Sequence, residues 1–276
     1  MDGAGAAVLK TGMTEIDPRP VSDADIALIH RLADAAGAVI RPHFRQPIRI
    51  EAKADASPVT IADRDAEAAI RAILRAECPG DGIIGEEFPD ENANASRTWV
   101  IDPIDGTQAF VAGRPLFGTL IALLDDGVPV LGVIDQCIAG DRWVGAAGQV
   151  TTLNGAPVTT RNCGLLAAAR AATTSPYLFR RDEDAQAFQR LRPLLGDVMY
   201  GGDNHNYALV ASGHLDLVVE AGLKLHDWAA LVPVVTGAGG VMTDWAGEPL
   251  RRGSDGRVIA VGDPMLMPSV LAALAP

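Results

Sequence analysis

Trp99-Val100-Ile101-Asp102-Pro103-Ile104-Asp105-Gly106-Thr107 runs from an apolar stretch straight into two carboxylates. Its first three residues read as a short buried strand. Proline fixes its own φ and biases Asp102 before it toward extended backbone. Both carboxylates and the Ile104 carbonyl then converge on one side. Gly106 allows close approach of a ligand. Thr107 opens a short helix through Phe110, whose first N–H groups would face an anion. Two carboxylates and a carbonyl are the hard oxygen donors that Mg²⁺ takes. His and Cys are absent from the stretch, which disfavours zinc. A plainer reading stands beside this one: Asp102 and Asp105 are turn residues at a strand end.

Three more acidic segments lie outward from it. Gly85-Glu86-Glu87 follows the strand-like Ile83-Ile84, and its glutamates are either ligands or a solvated loop. Asp63 comes three residues after Thr60, which is also the spacing of a capping box. Asp227 begins the helical text Trp228-Ala229-Ala230-Leu231, as an N-cap would. Each has a local explanation. Their joint presence does not.

Ser22 and Asp23 cap a helix whose apolar residues Ile26, Ile29, Leu32, Ala33 and Ala36 recur at helical spacing, ending near Pro42. Ile48 to Lys53 alternates like a strand, and a second helix runs from Val59 to about Glu77. Gly118 to Leu124 and Val128 to Gln136 read as strands joined by the turn Asp125-Asp126-Gly127, and Arg142 to Leu153 supplies two more. Next come a strand over Leu165 to Ala172, a helix over Asp182 to Leu195 and a strand over Leu215 to Glu220. A helix over Asp227 to Ala238, kinked at Pro233, a strand over Val258 to Val261 and a helix over Pro268 to Leu274 complete the chain. Helices followed by a run of sheet indicate α+β organisation. A soft boundary near 153–163 separates subdomains 21–157 and 158–276, after a loose extension over 1–20.

With 276 residues, 48% of them hydrophobic, the chain can bury a sizeable core. Its formal net charge of −12 argues against nucleic acid and anionic membranes as partners. That charge also repels phosphate, unless bound cations reverse the local field. Cys78, Cys137 and Cys163 are widely spaced with no CxxC pair, which fits a reducing cytoplasm rather than a disulfide framework. The segment 1–20 has the pattern of neither a signal peptide nor a membrane anchor.

Several of these stretches resemble the inositol monophosphatase family of lithium-sensitive, Mg²⁺-dependent phosphatases. The matching pieces are Asp55-Ala56-Ser57-Pro58-Val59-Thr60-Ile61-Ala62-Asp63, Gly85-Glu86-Glu87, Trp99 through Thr107, and His226-Asp227-Trp228-Ala229-Ala230 with Gly237-Ala238-Gly239-Gly240. They occur in the family's order. The resemblance implies a layered αβαβα fold with the site between two subdomains, and a homodimer. It implies that Glu86, Asp102 and the Ile104 carbonyl hold one Mg²⁺, that Asp102, Asp105 and Asp227 hold a second, and that a third, weaker ion leans on Glu86. Glu86 would direct a water at phosphorus, oriented by Thr107 and Asp63. Asp105, Gly106 and Thr107 would also contact the substrate. Lys53 aligns with a family lysine near the site; a solvent-facing lysine is an equal reading.

Within the family, the bacterial histidinol-phosphate phosphatases resemble this chain more closely. The runs are Gly132-Val133-Ile134-Asp135-Gln136, Gly140-Asp141-Arg142-Trp143, Gly201-Gly202-Asp203-Asn204 and Gly213-His214-Leu215-Asp216 through Gly222. Asp203 and Glu220 would bind a cationic substrate end through charge-assisted hydrogen bonds, with Asn206 adding a polar contact. Asp203 also fits an Asx-turn after two glycines. His226 stands where the family is often aromatic, and wall packing is its simplest role. No basic cluster for a second phosphate is visible in the sequence. The expected reaction is hydrolysis of L-histidinol phosphate, with an inositol-type or broad sugar-phosphate phosphatase, or a non-catalytic metal-binding regulator, as alternatives.

Overall fold

The computed structural model describes residues 20–47, 51–52 and 58–276. Helix α1 (Asp23–Ile40) starts at a capping box in which Ser22 and Asp25 exchange hydrogen bonds. Strands β1 (Glu51–Ala52) and β2 (Pro58–Val59) pair antiparallel. Only this part of the strand expected over Ile48 to Lys53 is described; Lys53 lies outside the described residues. Helix α2 (Ile61–Glu77) follows.

A seven-stranded sheet then forms from β3 (Gly82–Gly85) and β4 (Arg97–Asp105), with the short helix α3 (Thr107–Val111) after them, and from β5 (Gly118–Asp125), β6 (Val128–Gln136), β7 (Asp141–Ala146), β8 (Thr152–Leu153) and β9 (Ala156–Pro157). Its strand order follows the chain; β3 and β4 are parallel and the remaining pairs antiparallel. Asp126 and Gly127 take φ of 46° and 82° between β5 and β6, the positive angles that a two-residue hairpin turn requires.

The second sheet uses β10 (Arg170–Thr173), then, after α4 (Asp182–Leu191), β11 (Asp197–Tyr200), and, after α5 (Asn204–Ala211), β12 (Leu217–Glu220). Helices α6 (Leu225–Trp228) and α7 (Leu231–Gly237), strands β13 (Val241–Thr243) and β14 (Val258–Val261), and helix α8 (Met267–Leu274) complete it. The strand order is β11-β10-β12-β14-β13, partly parallel.

Side chains alternating across each strand build the layers. On the first sheet Trp99, Ile101, Ile121 and Leu123 pack against α1 and α2, while Val100, Leu120, Ala122 and Leu124 face the other way onto α5 and α7. On the second sheet Val218, Val258 and Ala260 meet those same two helices. Leu217, Val219, Ile259 and Val261 meet the cluster containing α4 and α8. The order is αβαβα, as the resemblance implied. Among the described residues no helix is long and apolar enough to cross a membrane.

Four expectations are corrected. Leu166–Ala168 is a 3-10 turn, and the strand starts only at Arg170. The strand expected from Leu215 begins at Leu217. The helix expected to Leu195 ends at Leu191 and passes into a 3-10 turn over Arg192–Leu194. The single kinked helix over Asp227 to Ala238 is two helices, broken at Ala229-Ala230. Pro233 cannot bond the carbonyl four residues earlier and its ring crowds it, so the chain breaks there and Pro233 falls in the first turn of α7. The break also brings α7 against the sheet. A Cβ on Gly132 would lie 2.1 Å from the Ala230 carbonyl oxygen, and one on Gly145 2.3 Å from that of Pro233. Gly145→Ala should therefore force the middle layer apart and cost about 1–3 kcal/mol, read as a lowered urea midpoint.

Candidate metal centre and substrate pocket

Asp102 and Asp105 are three residues apart, which on a regular strand puts them on opposite faces. The register of β4 against β5 shifts between them: Asp102 pairs with Leu120 and Asp105 with Gly118. One extra residue on β4 makes this a bulge, which turns both carboxylates to one side. Pro103 sits in it, where a missing N–H breaks no ladder bond, and its carbonyl accepts from Thr119 Oγ1 at 2.8 Å. Asp102 Oδ1 accepts from the Ile104 N–H at 3.1 Å. The turn reading of Asp102 is thus correct locally, and its second oxygen stays available.

Glu86 leaves the end of β3 and donates its N–H to the Ile101 carbonyl at 3.2 Å. The loop is latched from beneath by two buried residues of α2 that the apolar pattern did not single out. Glu67 Oε2 accepts the Glu87 N–H at 2.8 Å, and Glu67 Oε1 pairs with Arg71 Nε at 2.7 Å. Arg71 in turn donates to the Phe88 carbonyl and to Glu91. Gly85 is required beside them, because a Cβ there would sit 1.9 Å from Glu67 Oε1.

Asp63 is fully buried and joins both of its readings. Its Oδ2 accepts from the Thr60 backbone and hydroxyl at 2.8 and 2.6 Å, closing the capping box of α2. Its Oδ1 stands 3.4 Å from Thr107 Oγ1, which is also 3.0 Å from the Ile104 carbonyl. Asp227 is not an N-cap: it is the third residue of α6, and its Oδ2 accepts the Lys224 N–H at 2.6 Å.

The fold brings these carboxylates together in two groups, each with ligand atoms within 4.8 Å of one another. One is Asp102, Asp105 and Asp227; the other is Glu86, Asp102 and His226. The first is the all-oxygen set that a hard divalent cation takes, so the residues fit Mg²⁺. Their electrostatics agree. Burial, then neighbouring carboxylates, push Asp102 well above the usual range. Burial raises Asp105 to about 8, with Asp227 adding to it and the Asn204 hydrogen bonds opposing it. Asp227 is raised to about 7, again mainly by burial. His226, whose role the sequence left open with wall packing favoured over catalysis, has its Nε2 3.4 Å from Asp227 Oδ1 and 3.9 Å from Glu86 Oε1.

A cavity of about 710 Å³ opens beside this cage, walled by Gly106, Thr107, Tyr177, Arg180, Gly202 and Asp203 among others. A smaller one of about 180 Å³ shares Asp203 with it and adds Asp105, Asn204, Glu220 and Asp227. Asp203 has φ 43° and ψ −132°, an unusual backbone for a non-glycine residue, and makes no side-chain cap bond to α5. Its carboxylate lies where a Cβ on Gly106, at φ 84°, would touch it at 3.2 Å. The Asx-turn reading gives way to a carboxylate facing the cavity. Burial, then Asp105, Glu220 and Asp227, raise Asp203 to about 8.

Glu220 reaches the smaller cavity with both oxygens already engaged, accepting from the Thr174 N–H at 2.6 Å and from Tyr207 Oη at 2.9 Å. Asn206, expected to touch the substrate, instead donates to the Gly201 carbonyl at 3.0 Å and fixes the turn before Asp203. Its neighbour Asn204 was missed. The backbone N–H and Nδ2 of Asn204 both donate to Asp105 Oδ2, at 2.9 and 2.7 Å, and Gln136 Nε2 holds the Asn204 oxygen at 2.7 Å. Arg114 and Arg180 both line the larger cavity, so the fold brings to it two basic residues that the sequence did not display as a cluster.

An αβαβα stack with a carboxylate cage beside a polar cavity is the arrangement of a metal-dependent phosphatase. The family model of the inositol monophosphatase family matches residues 20–275, and the chain belongs to that family. The chloroplastic bifunctional phosphatase IMPL2 of Arabidopsis thaliana is 48% identical over 237 residues, 84% of this chain and 68% of its own. The histidinol-phosphatase of Mycobacterium tuberculosis is 37% identical over 233 residues, 82% of this chain and 90% of its own. Among solved structures, an inositol monophosphatase from Zymomonas mobilis matches with a TM-score of 0.85 at 54% identity, covering 93% of this chain and 99% of that one.

Two outcomes follow. Glu67→Gln leaves Arg71 with a weakened buried partner and frees the Glu87 N–H. It should cost toward the lower end of about 3–5 kcal/mol in urea unfolding, since Glu91 still pairs with Arg71. The second concerns pH. Carboxyls raised on folding bind more protons folded than unfolded, so the stability they contribute is present near pH 4 and lost as pH rises toward 8. The chelator-treated protein should melt lower at pH 8 than at pH 6, and Mg²⁺ should raise the melting temperature more at pH 8. An equal Mg²⁺ effect at both values would contradict this.

Proposed function

We propose that the protein hydrolyses L-histidinol phosphate to L-histidinol and phosphate. The observation that carries this reading is Asp203, a cavity-facing carboxylate outside both metal-ligand groups. The phosphate end of a substrate belongs with cations at the cage. A second anionic position favours a substrate whose other end is cationic over a neutral polyol, because the hydrogen bond is then charge-assisted, and histidinol has an ammonium and an imidazole. A histidinol-phosphatase 37% identical over most of both chains supports this choice, while the 54% identical inositol monophosphatase supports a broader phosphatase.

In this mechanism Glu86, Asp102, Asp105, Asp227 and the Ile104 carbonyl would hold the ions. Divalent cations held there supply Lewis acidity, which lowers the pKa of water and neutralises phosphoryl charge. The protein's own groups do the positioning. Thr107, tethered between Asp63 and the Ile104 carbonyl, orients the water, and Glu86 flanks it as proton acceptor. The water oxygen bonds to phosphorus as the ester P–O bond breaks, and the leaving alkoxide takes up a proton. No covalent phosphoenzyme is required, since positioning and charge stabilisation do the work. Arg114 and Arg180 favour a second reading, a broader phosphatase that accepts more anionic esters.

The test is kcat/KM with Mg²⁺ for L-histidinol phosphate against inositol 1-phosphate. Histidinol phosphate should be preferred by tenfold or more. Asp203→Asn should lower its kcat/KM about 10- to 150-fold, the equivalent of one charge-assisted hydrogen bond, with far less effect on the neutral polyol ester. A tenfold preference for inositol phosphate would overturn the substrate assignment.

A further inference from the structure

The two ligand groups of the cage differ in one atom type. Asp102, Asp105 and Asp227 offer only oxygen, whereas Glu86 and Asp102 are joined by an imidazole, that of His226. The side chain of His226 is nearly nine-tenths buried. It enters the cage from α6, one residue before Asp227, so the backbone that aims the Asp227 carboxylate also aims the ring. Two ligands that each lie about 2.0–2.2 Å from a shared ion stand roughly 3 Å apart at right angles and about 4 Å apart across it. His226 Nε2 lies 3.9 Å from Glu86 Oε1 and 3.4 Å from Asp227 Oδ1, both within that span, and it groups with Glu86 and Asp102 as a ligand set.

We propose that His226 is a nitrogen ligand of the cation site at Glu86 and Asp102, and that this site selects Mn²⁺ over Mg²⁺. The proposal rests on reading the cage as a cation site and goes beyond it by dividing the cage into two sites of different chemistry. Imidazole suits first-row transition ions, whereas Mg²⁺ demands oxygen and keeps its waters. A neutral imidazole has a second advantage here. It adds a donor without another negative charge, in a place where Glu86, Asp102, Asp105 and Asp227 already converge. The Asp105–Asp227 side stays a hard oxygen site.

The experiment uses the full chain stripped by chelator and titrated with Mn²⁺ alone. Free Mn²⁺ is read by continuous-wave electron paramagnetic resonance, and the bound ion by spin-echo modulation. Wild-type protein should show imidazole nitrogen coupling that shifts when its histidines carry ¹⁵N, a readout that needs no variant. His226→Gln should lose the coupling and weaken the tighter Mn²⁺ site about tenfold or more. Mg²⁺ should displace that Mn²⁺ only at more than tenfold excess. Mn²⁺ bound without nitrogen coupling overturns the proposal and leaves the carboxylate cation site standing. No Mn²⁺ binding at all overturns both.

Discussion

Repulsion among buried carboxylates is the constraint on which the site depends. Glu86, Asp102, Asp105 and Asp227 converge, with Asp203 and Glu220 close behind. Only protons or cations relieve such crowding. Among the described residues, neutral donors orient three of these carboxylates. The Ile104 N–H serves Asp102, the Asn204 amide and N–H serve Asp105, and the Lys224 backbone N–H serves Asp227. Buried carboxylates elsewhere are held by guanidinium groups, as in Glu67 with Arg71 and Asp216 with Arg161. A guanidinium in the cage would take a cation's place. Neutral donors fix the geometry of Asp102 and Asp105 without meeting their charge.

The layered fold supplies the rigidity that such crowding demands. The carboxylates hang from five elements: Asp102 and Asp105 from the bulge of β4, Glu86 from the end of β3, Asp227 from the short helix α6, Asp203 from the start of α5 and Glu220 from the end of β12. These meet where the middle helices are pressed between two sheets. Gly132 and Gly145 allow that pressure by letting α7 carbonyls approach the first sheet. The Glu67–Arg71 latch extends the same rigidity to the Glu86 loop, which has few apolar contacts of its own to hold it.

Much of this was legible in the sequence. Trp99 through Thr107 and the segments at Glu86, Asp63 and Asp227 announced the cage, because metal ligation restricts residue type as well as spacing. Helix α2 was legible from its apolar stripe, but not its buried Glu67 and Arg71, since a charged residue reads as solvated unless its partner is known. Helix α5 escaped notice for the opposite reason. Apolar layers cover it on two sides, so it has no single stripe, and its polar start at Asn204 and His205 reads as loop. Edge strand β11, with Met199 and Tyr200 exposed, lacks the alternation of a strand with one buried face. His226 was read from its neighbours in sequence, and its partner Glu86 is 140 residues away.

The pocket also answers how a chain of net charge −12 can attract a phosphate ester. The cage is anionic only until cations occupy it; afterwards it is the attractive end. Arg114 and Arg180 add fixed positive charge to the lining of the cavity, while Asp203, beside Gly106, is a carboxyl whose proton affinity burial and its acidic neighbours raise and which a cationic group would hold ionised. On the proposed reading, the phosphate end of the substrate belongs with the cations of the cage and its ammonium with Asp203, and the two ends together set the one orientation in which the ester is held.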